Sequence, residues 1–325
     1  MTIFLLSNFR GWILEGIIKD AALVEKSKLR LLYVPLQRRH YLNLPSILKY
    51  VFLRRFAGRA LFVNQLTFYH MYLGGILNYS LAETKVFFTH LNDSELAIEQ
   101  QVALLNKCSQ VLVMNLQVKE FLISSGVLRA KVSVIYGGVD RFKFFPQASA
   151  VSQVESNPYV LIAGDCKDRK NPHLISEVIS DMSNQRFFIH GRYWENFFLN
   201  TRGFIPENVT IQEFKFSAHP AIMRNASAYL SLSKLEGGPY PVIEALASGT
   251  PVVVTDTGWN TEFVNEFNGR VLPLDVPVRD VTKSIREVVQ LKEIVKHNDL
   301  LDMKLTMEEL AHHLFYFSDK SEKSD

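Results

Sequence analysis

Cysteine is nearly absent: the 325 residues include only Cys108 and Cys166, with no paired metal-ligand spacing between them. Reduced thiols in a cytoplasmic compartment are expected, and a catalytic cysteine is not. Charge of one sign is lacking too. Lys and Arg total 36 against 33 Asp and Glu, a net +3 that does not by itself indicate nucleic acid. No apolar run is long enough to span a bilayer. The apolar opening, Met1 to Leu6, has neither a basic flank nor a cleavage site, so it is expected to be a strand and not a leader. Membrane contact would then be peripheral. No Asp-x-Asp element stands at a strand end to hold Mg²⁺ or Mn²⁺, so no metal is expected. No repeat at a solenoid period is present. What is present is 47% hydrophobic and 21% charged residues, the balance of a soluble globular protein with chain enough for two domains.

Short β-rich runs alternate with helical segments. Thr2–Ser7, Leu29–Leu36, Ala60–Asn64, Lys85–Thr89, Val111–Asn115 and Val132–Tyr136 read as strands. Ile13, Ile17, Ala21 and Val24 recur at helical spacing, and Ser94–Ser109 and Leu116–Ser125 are the clearest further helices. The opening is βαβ, whose handed crossover implies a parallel sheet. A Ser-, Gln- and Pro-rich segment at 142–158 interrupts the pattern and reads as a linker. Alternation resumes with strands at Tyr159–Ala163, Phe187–Ile189, Val209–Ile211, Tyr229–Leu232, Val252–Thr255 and Val271–Leu274. An amphipathic helix from Val278 to about His297 and an aromatic-rich helix, Leu305–Phe317, close the chain. Two doubly wound α/β domains are predicted, 1–145 and 146–300, with a ligand cleft between them outside the carboxyl ends of the strands.

The most informative stretch is Ser233–Asp256, SKLEGGPYPVIEALASGTPVVVTD, read as loop, helix and strand. Glu236 lies in the loop and Glu244 in the first helical turn; Pro241 suits the first helical position and Gly249 the stop. Glycine amides and a helix N-terminus in one loop attract phosphate, and carboxylates beside them suit hydroxyls. A nucleotide sugar offers both. The plainer reading makes Glu236 a solvated loop residue and Glu244 a charge complementing the helix dipole.

EGGPYPVIEALASGTPVVVTDTGWNTEFV resembles the Glu-x7-Glu signature of retaining GT-B glycosyltransferases of family 4. KVSVIYGGVDRFKFFP resembles the passage that closes the family's first domain, and CSQVLVMNLQVKEFLISSGV the strand and helix leading to it. The resemblance is dense from about residue 108 to residue 275 and thin before residue 85. It implies a GT-B fold: two Rossmann-like doubly wound domains facing an interdomain cleft, with the 301–325 segment a helix crossing back to the first domain. It also implies hexosyl transfer from a UDP- or GDP-linked sugar to a glycan or lipid-linked acceptor, retaining, without metal or other cofactor, in polysaccharide or lipopolysaccharide assembly. Glu236 would contact hydroxyls of the transferred sugar and Glu244 those of the ribose. Gly237, Gly238 and Pro239, the last where glycine is more usual, would face the sugar and diphosphate. His90, directly after a strand in VFFTHLND, resembles the histidine near the reacting sugar, where it could bind a hydroxyl or steer a proton.

The same resemblance makes Gly164–Pro172, GDCKDRKNP, a diphosphate clamp. Lys170 matches the family's lysine, whereas Asp165 stands where relatives carry arginine, leaving Arg169 or Lys167 to reach the phosphates. Alternatively these cations are a solvated turn before a Pro-started helix. Gly11 and Arg10, after the first strand, are further candidate donor contacts, as is His190 with Arg192 near the expected base. Residues 137–140 would shape a hinge. Residues 36–59 interleave six basic residues, among them Arg54 and Arg55, with aromatics. They suit an anionic membrane surface or a solvated helix face more than RNA. The Asp165 substitution leaves a second reading open, a catalytically impaired GT-B protein that binds a glycan or partner.

Overall fold

The computed structural model describes residues 2–7, 13–24, 28–33, 59–73, 84–88, 96–146, 158–292 and 307–316. The chain divides into two compact units, one of Met1–Gly138 with Leu305–Asp325, the other of Val139–Lys304. The second unit thus begins at Val139, ahead of the expected 146, and the reason is local packing. Phe144 sits edge-on to His219 at 6.1 Å, and Arg224 donates to the carbonyls of Lys143 and Phe145 at 2.9 Å each.

Six parallel strands form the sheet of the first unit: β1 (Thr2–Ser7), β2 (Lys28–Tyr33), β3 (Arg59–Phe62), β4 (Thr84–Phe87), β5 (Gln110–Val113) and β6 (Val132–Val134). Their order is β2-β1-β3-β4-β5-β6. Helices cover such a sheet, so its strands read as short continuous apolar runs without alternation. Phe62, Phe68, Val86, Val111 and Leu122 share the buried core. The helix Gln65–Leu73 escaped sequence reading because QLTFYHMYL has no single apolar face; Asn64 starts it by accepting the Thr67 amide at 2.9 Å. The helix Met307–Phe315 packs on Ile13–Val24, and the buried Lys85 donates to the Tyr316 carbonyl at 2.6 Å. Burial, with Arg59 adding to it, brings the Lys85 ammonium down to about 8.

The second unit has strands β7 (Tyr159–Ala163), β8 (Arg186–His190), β9 (Val209–Gln212), β10 (Ala228–Ser231), β11 (Val252–Thr255) and β12 (Gly269–Leu272). All pair in parallel in the order β12-β11-β10-β7-β8-β9. Strand order reverses between β7 and β10, and at such a switch the loops after the two strands part to opposite faces and leave a crevice. The loops concerned are 164–171 and 232–239. Ile162, Ile175, Trp194, Phe198, Val253 and Ile285 form the core beneath them.

Cys108 and Cys166 are free thiols, pushed up to about 12 and about 11, in each case first by burial. Neither is poised as a nucleophile. Among the described residues no helix is long and apolar enough to cross a membrane, and no three His, Cys, Asp or Glu side chains are grouped to hold a metal ion. Of the basic and aromatic segment 36–59, only Arg59 lies within the described residues.

Candidate active site

The two switch-point loops are tied together by ion pairs. Lys170 closes a 3₁₀ turn, Asp168–Lys170, and its Nζ reaches Glu236 Oε1 at 2.5 Å. Arg169 holds the other carboxylate oxygen at 2.8 Å. The backbone follows the same seam, with the Lys234 amide donating to the Arg169 carbonyl at 2.7 Å and the Arg169 guanidinium to the Leu235 carbonyl at 3.3 Å. Glu236 keeps only 10% of its side chain exposed. That burial is the largest influence on its carboxyl and pushes it up. Lys170, Arg169 and a hydrogen bond from Ser233 together outweigh it and hold the group below the usual carboxylate range. Glu236 is therefore an ionised, half-locked acceptor, and not the solvated loop residue of the plainer reading. The local net charge of Glu236, Arg169 and Lys170 is +1, which favours an anion beside them.

Behind the loop, the helix Tyr240–Ala247 starts after Pro239, which places Pro241 at the second helical position and Glu244 in the second turn, each one step later than expected. The shift follows from Tyr240, whose buried ring meets Trp259 at 5.6 Å and sets the first turn. Gly249, at φ +68°, ends the helix: its amide donates to Leu246 and that of Thr250 to Ala245. Pro239 is buried and Gly237 and Gly238 are half-buried. A Cβ on Gly258 would stand 2.8 Å from Pro239 Cδ and 3.2 Å from the Glu236 carbonyl, so the turn after β11 backs the loop directly. Glu236 and Glu244 both push the buried Tyr229 phenol upward, after burial itself, so the two carboxylates flank one side chain.

Asp165, where the resemblance leads one to expect an arginine, anchors another arginine instead. Its carboxylate accepts the Arg192 amide at 3.1 Å and two guanidinium bonds at 3.2 and 2.7 Å, and Arg192 holds it below the usual range. The loops after β7 and β8 are then one structure: Gly164 donates to the His190 carbonyl and Cys166 to that of Arg192. They approach so closely that a Cβ on Gly191 would lie 2.0 Å from the Gly164 oxygen, which the buried Trp194 indole already holds at 2.9 Å. Gly191→Ala is expected to cost about 1–3 kcal/mol by forced overpacking. Urea unfolding read by tryptophan fluorescence checks it, and an unchanged midpoint would count against this close approach.

His190, expected near a base, is fully buried and faces a partner that sequence reading missed. Its Nδ1 lies 3.0 Å from Nδ1 of His219, whose Nε2 is 3.3 Å from Glu244. Nothing local marks His219, in SAHP at a helix start; only the fold brings it to the end of β8. His90, Arg10 and Gly11 lie outside the described residues.

Residues 145–300 match the family described as Glycosyl transferases group 1. No curated protein sequence matches the chain. Among solved structures, it is similar to Anabaena HepE in complex with UDP and glucose, at TM-score 0.73 and 14% identity, covering 96% of this chain and 98% of that one. Sucrose-phosphate synthase from Thermosynechococcus elongatus gives TM-score 0.78 and 15% identity, covering 96% and 97%. WaaG, a glycosyltransferase involved in lipopolysaccharide biosynthesis, gives 0.71 and 14%, covering 97% and 100%. Two parallel Rossmann-like sheets and the likeness to these structures give the chain the GT-B fold, and within it residues 145–300 match the glycosyl transferases group 1 model.

Proposed function

We propose that the protein transfers a hexosyl group from a UDP- or GDP-linked sugar to a glycan or lipid-linked acceptor. The observation that carries this reading is the Arg169–Glu236–Lys170 cluster beside the N-terminal end of the helix Tyr240–Ala247. In the free protein the two cations are held by Glu236. A bound diphosphate would draw them to its own oxygens, releasing the carboxylate to accept hydroxyls of the transferred sugar. Negative charge then grows on the leaving nucleoside diphosphate, where Lys170 and Arg169 stabilise it without a reorganisation of solvent. These groups do the electrostatic work a metal would do, which supports metal-independent transfer with no cofactor. Retention rests on the Glu-x7-Glu resemblance, as does a role for His90 beside the reacting sugar. HepE, in complex with UDP and glucose, makes UDP-glucose the first donor to try. A cytoplasmic setting in lipopolysaccharide or polysaccharide assembly, with 36–59 resting on anionic lipid, completes the reading.

The test is release of nucleoside diphosphate from a panel of UDP- and GDP-sugars. Glu236→Ala is expected to lower turnover by about 10²–10³-fold, the effect of deleting one preorganised group at a reacting centre. Asp165 favours a second reading, since a carboxylate at the clamp disfavours a diphosphate. Its pairing with Arg192 neutralises that charge. Wild-type protein that binds a donor yet releases no diphosphate with any acceptor would establish the non-catalytic alternative.

A further inference from the structure

The buried histidines at the end of β8 form a chain of hydrogen bonds whose direction is set by the Lys215 amide. The Lys215 amide can only donate, so His190 Nε2, at 2.9 Å, must accept. In a neutral ring His190 Nδ1 then carries the proton and donates to His219 Nδ1, 3.0 Å away. That leaves the proton of His219 on Nε2, pointing at Glu244 Oε2 at 3.3 Å. The rings cannot swing out of this arrangement. His190 and His219 are stacked at 5.2 Å, and Phe214 covers both, at 4.6 and 4.9 Å. Phe144 closes the edge of His219. Both histidines are at least 97% buried, whereas the Glu244 side chain remains 19% exposed and open to a ligand. A hydrogen bond from a fixed N–H restricts the rotamers of a glutamate that would otherwise move freely in the second helical turn.

We propose that His219, oriented by His190, is a positioning residue that locks the Glu244 carboxylate for the ribose hydroxyls of the donor, and so sets the preference for a ribonucleotide over its 2′-deoxy counterpart. This rests on the reading of Glu244 as the ribose contact. The relay delivers only one thing to the site, a donor at the His219 Nε2 position, and two substitutions separate its ends. In His219→Gln the side-chain amide can reach the Nε2 position and donate to Glu244. In His219→Asn the shorter amide reaches the Nδ1 position, keeping the bond from His190 and losing Glu244.

Calorimetric titration with UDP and 2′-dUDP, and with GDP and 2′-dGDP, reads the preference directly. Glu244→Ala is expected to lower the ribo-to-deoxyribo affinity ratio by about tenfold, the worth of one charge-assisted bond. His219→Asn is expected to lower it by roughly three- to tenfold and His219→Gln to leave it near wild type. If Glu244→Ala leaves the ratio unchanged, the ribose reading of Glu244 has failed. If Glu244→Ala lowers it but His219→Asn does not, or if Asn and Gln lower it equally, the relay is overturned, because the ring then serves packing alone.

Discussion

Replacing Lys170 by alanine is expected to reduce kcat/KM for the preferred nucleotide sugar by about 10²–10³-fold while leaving most of the stability in place. The two effects separate because the ammonium has two different jobs. Toward the leaving diphosphate it would be a preorganised cation, 14% exposed and fixed at 2.5 Å from Glu236, in a position that Arg169 cannot take over from the outer side of the loop. Toward the fold it is one of two partners for a nearly buried carboxylate. Breaking a buried ion pair costs about 3–5 kcal/mol when the remaining charge is orphaned, and exposed pairs are worth about 0–1 kcal/mol. Here Arg169 stays at 2.8 Å and Ser233 still bonds the carboxylate, so the cost falls toward the lower figure. Lys170→Arg should not rescue activity. The Lys170 Cε lies 3.5 Å from where a Cβ on Gly164 would sit, and a longer, planar guanidinium does not put its charge where the compact ammonium does. Diphosphate release and a thermal melt on the same preparations decide the matter. Activity falling only in step with the folded fraction would remove Lys170 from the chemistry.

How much of this was legible in the sequence depended on the range of the signal. The twelve strands among the described residues announced themselves, because a parallel sheet covered on both faces needs a short apolar run at each strand; VVVT and YVLIA are unambiguous. Helices with a one-sided pattern, such as Val278–Val289, were equally plain, whereas QLTFYHMYL and WENFFLNTR carry apolar residues all round or too few. In the site, Glu236, Arg169, Lys170 and Glu244 were readable because short motifs place them on two loops. That the loops meet is a property of strand order, with β7 beside β10, and no local pattern encodes it. The pairing of Asp165 with Arg192 and of His190 with His219 joins residues 27 and 29 positions apart across neighbouring loops. Taken alone, His190 and Arg192 looked like base contacts, and His219 carried no signal. Asp165 in particular changes meaning: the sequence shows a lost cation, the structure a carboxylate that fastens one.

Acidification from pH 6.5 to pH 4 is expected to remove about 3 kcal/mol of stability from the 139–304 unit, and His190 is the cause. In the folded chain its pKa is brought down to about 4 from 6.5, first by burial and then by His219 beside it, with a smaller opposing pull from the Glu213 carbonyl. Geometry gives the same answer, since protonating Nε2 would set it against the Lys215 amide that it must accept. Unfolded, the imidazole returns to about 6.5. Between the two values the unfolded chain binds the extra proton, so stability is complete above about pH 6.5, falls as the pH drops, and has lost this contribution below about pH 4. At about 1.36 kcal/mol per unit the difference comes to the figure stated. Carboxylates held low, Asp165 and Glu236 among them, begin to lose their contributions as the pH falls through the ordinary carboxylate range, about 4, at the foot of this window, and that loss is separate from the one caused by His190. Urea titrations at half-unit steps, followed by fluorescence of Trp194 and Trp259, should give a stability that climbs from pH 4 to 6.5 in the wild type. In His190→Gln, which cannot titrate, the climb above about pH 5 should be nearly flat, leaving only the carboxylate contribution below it. Parallel slopes in the two proteins would mean that another group carries the acid sensitivity and that His190 is protonated at no cost in the folded state.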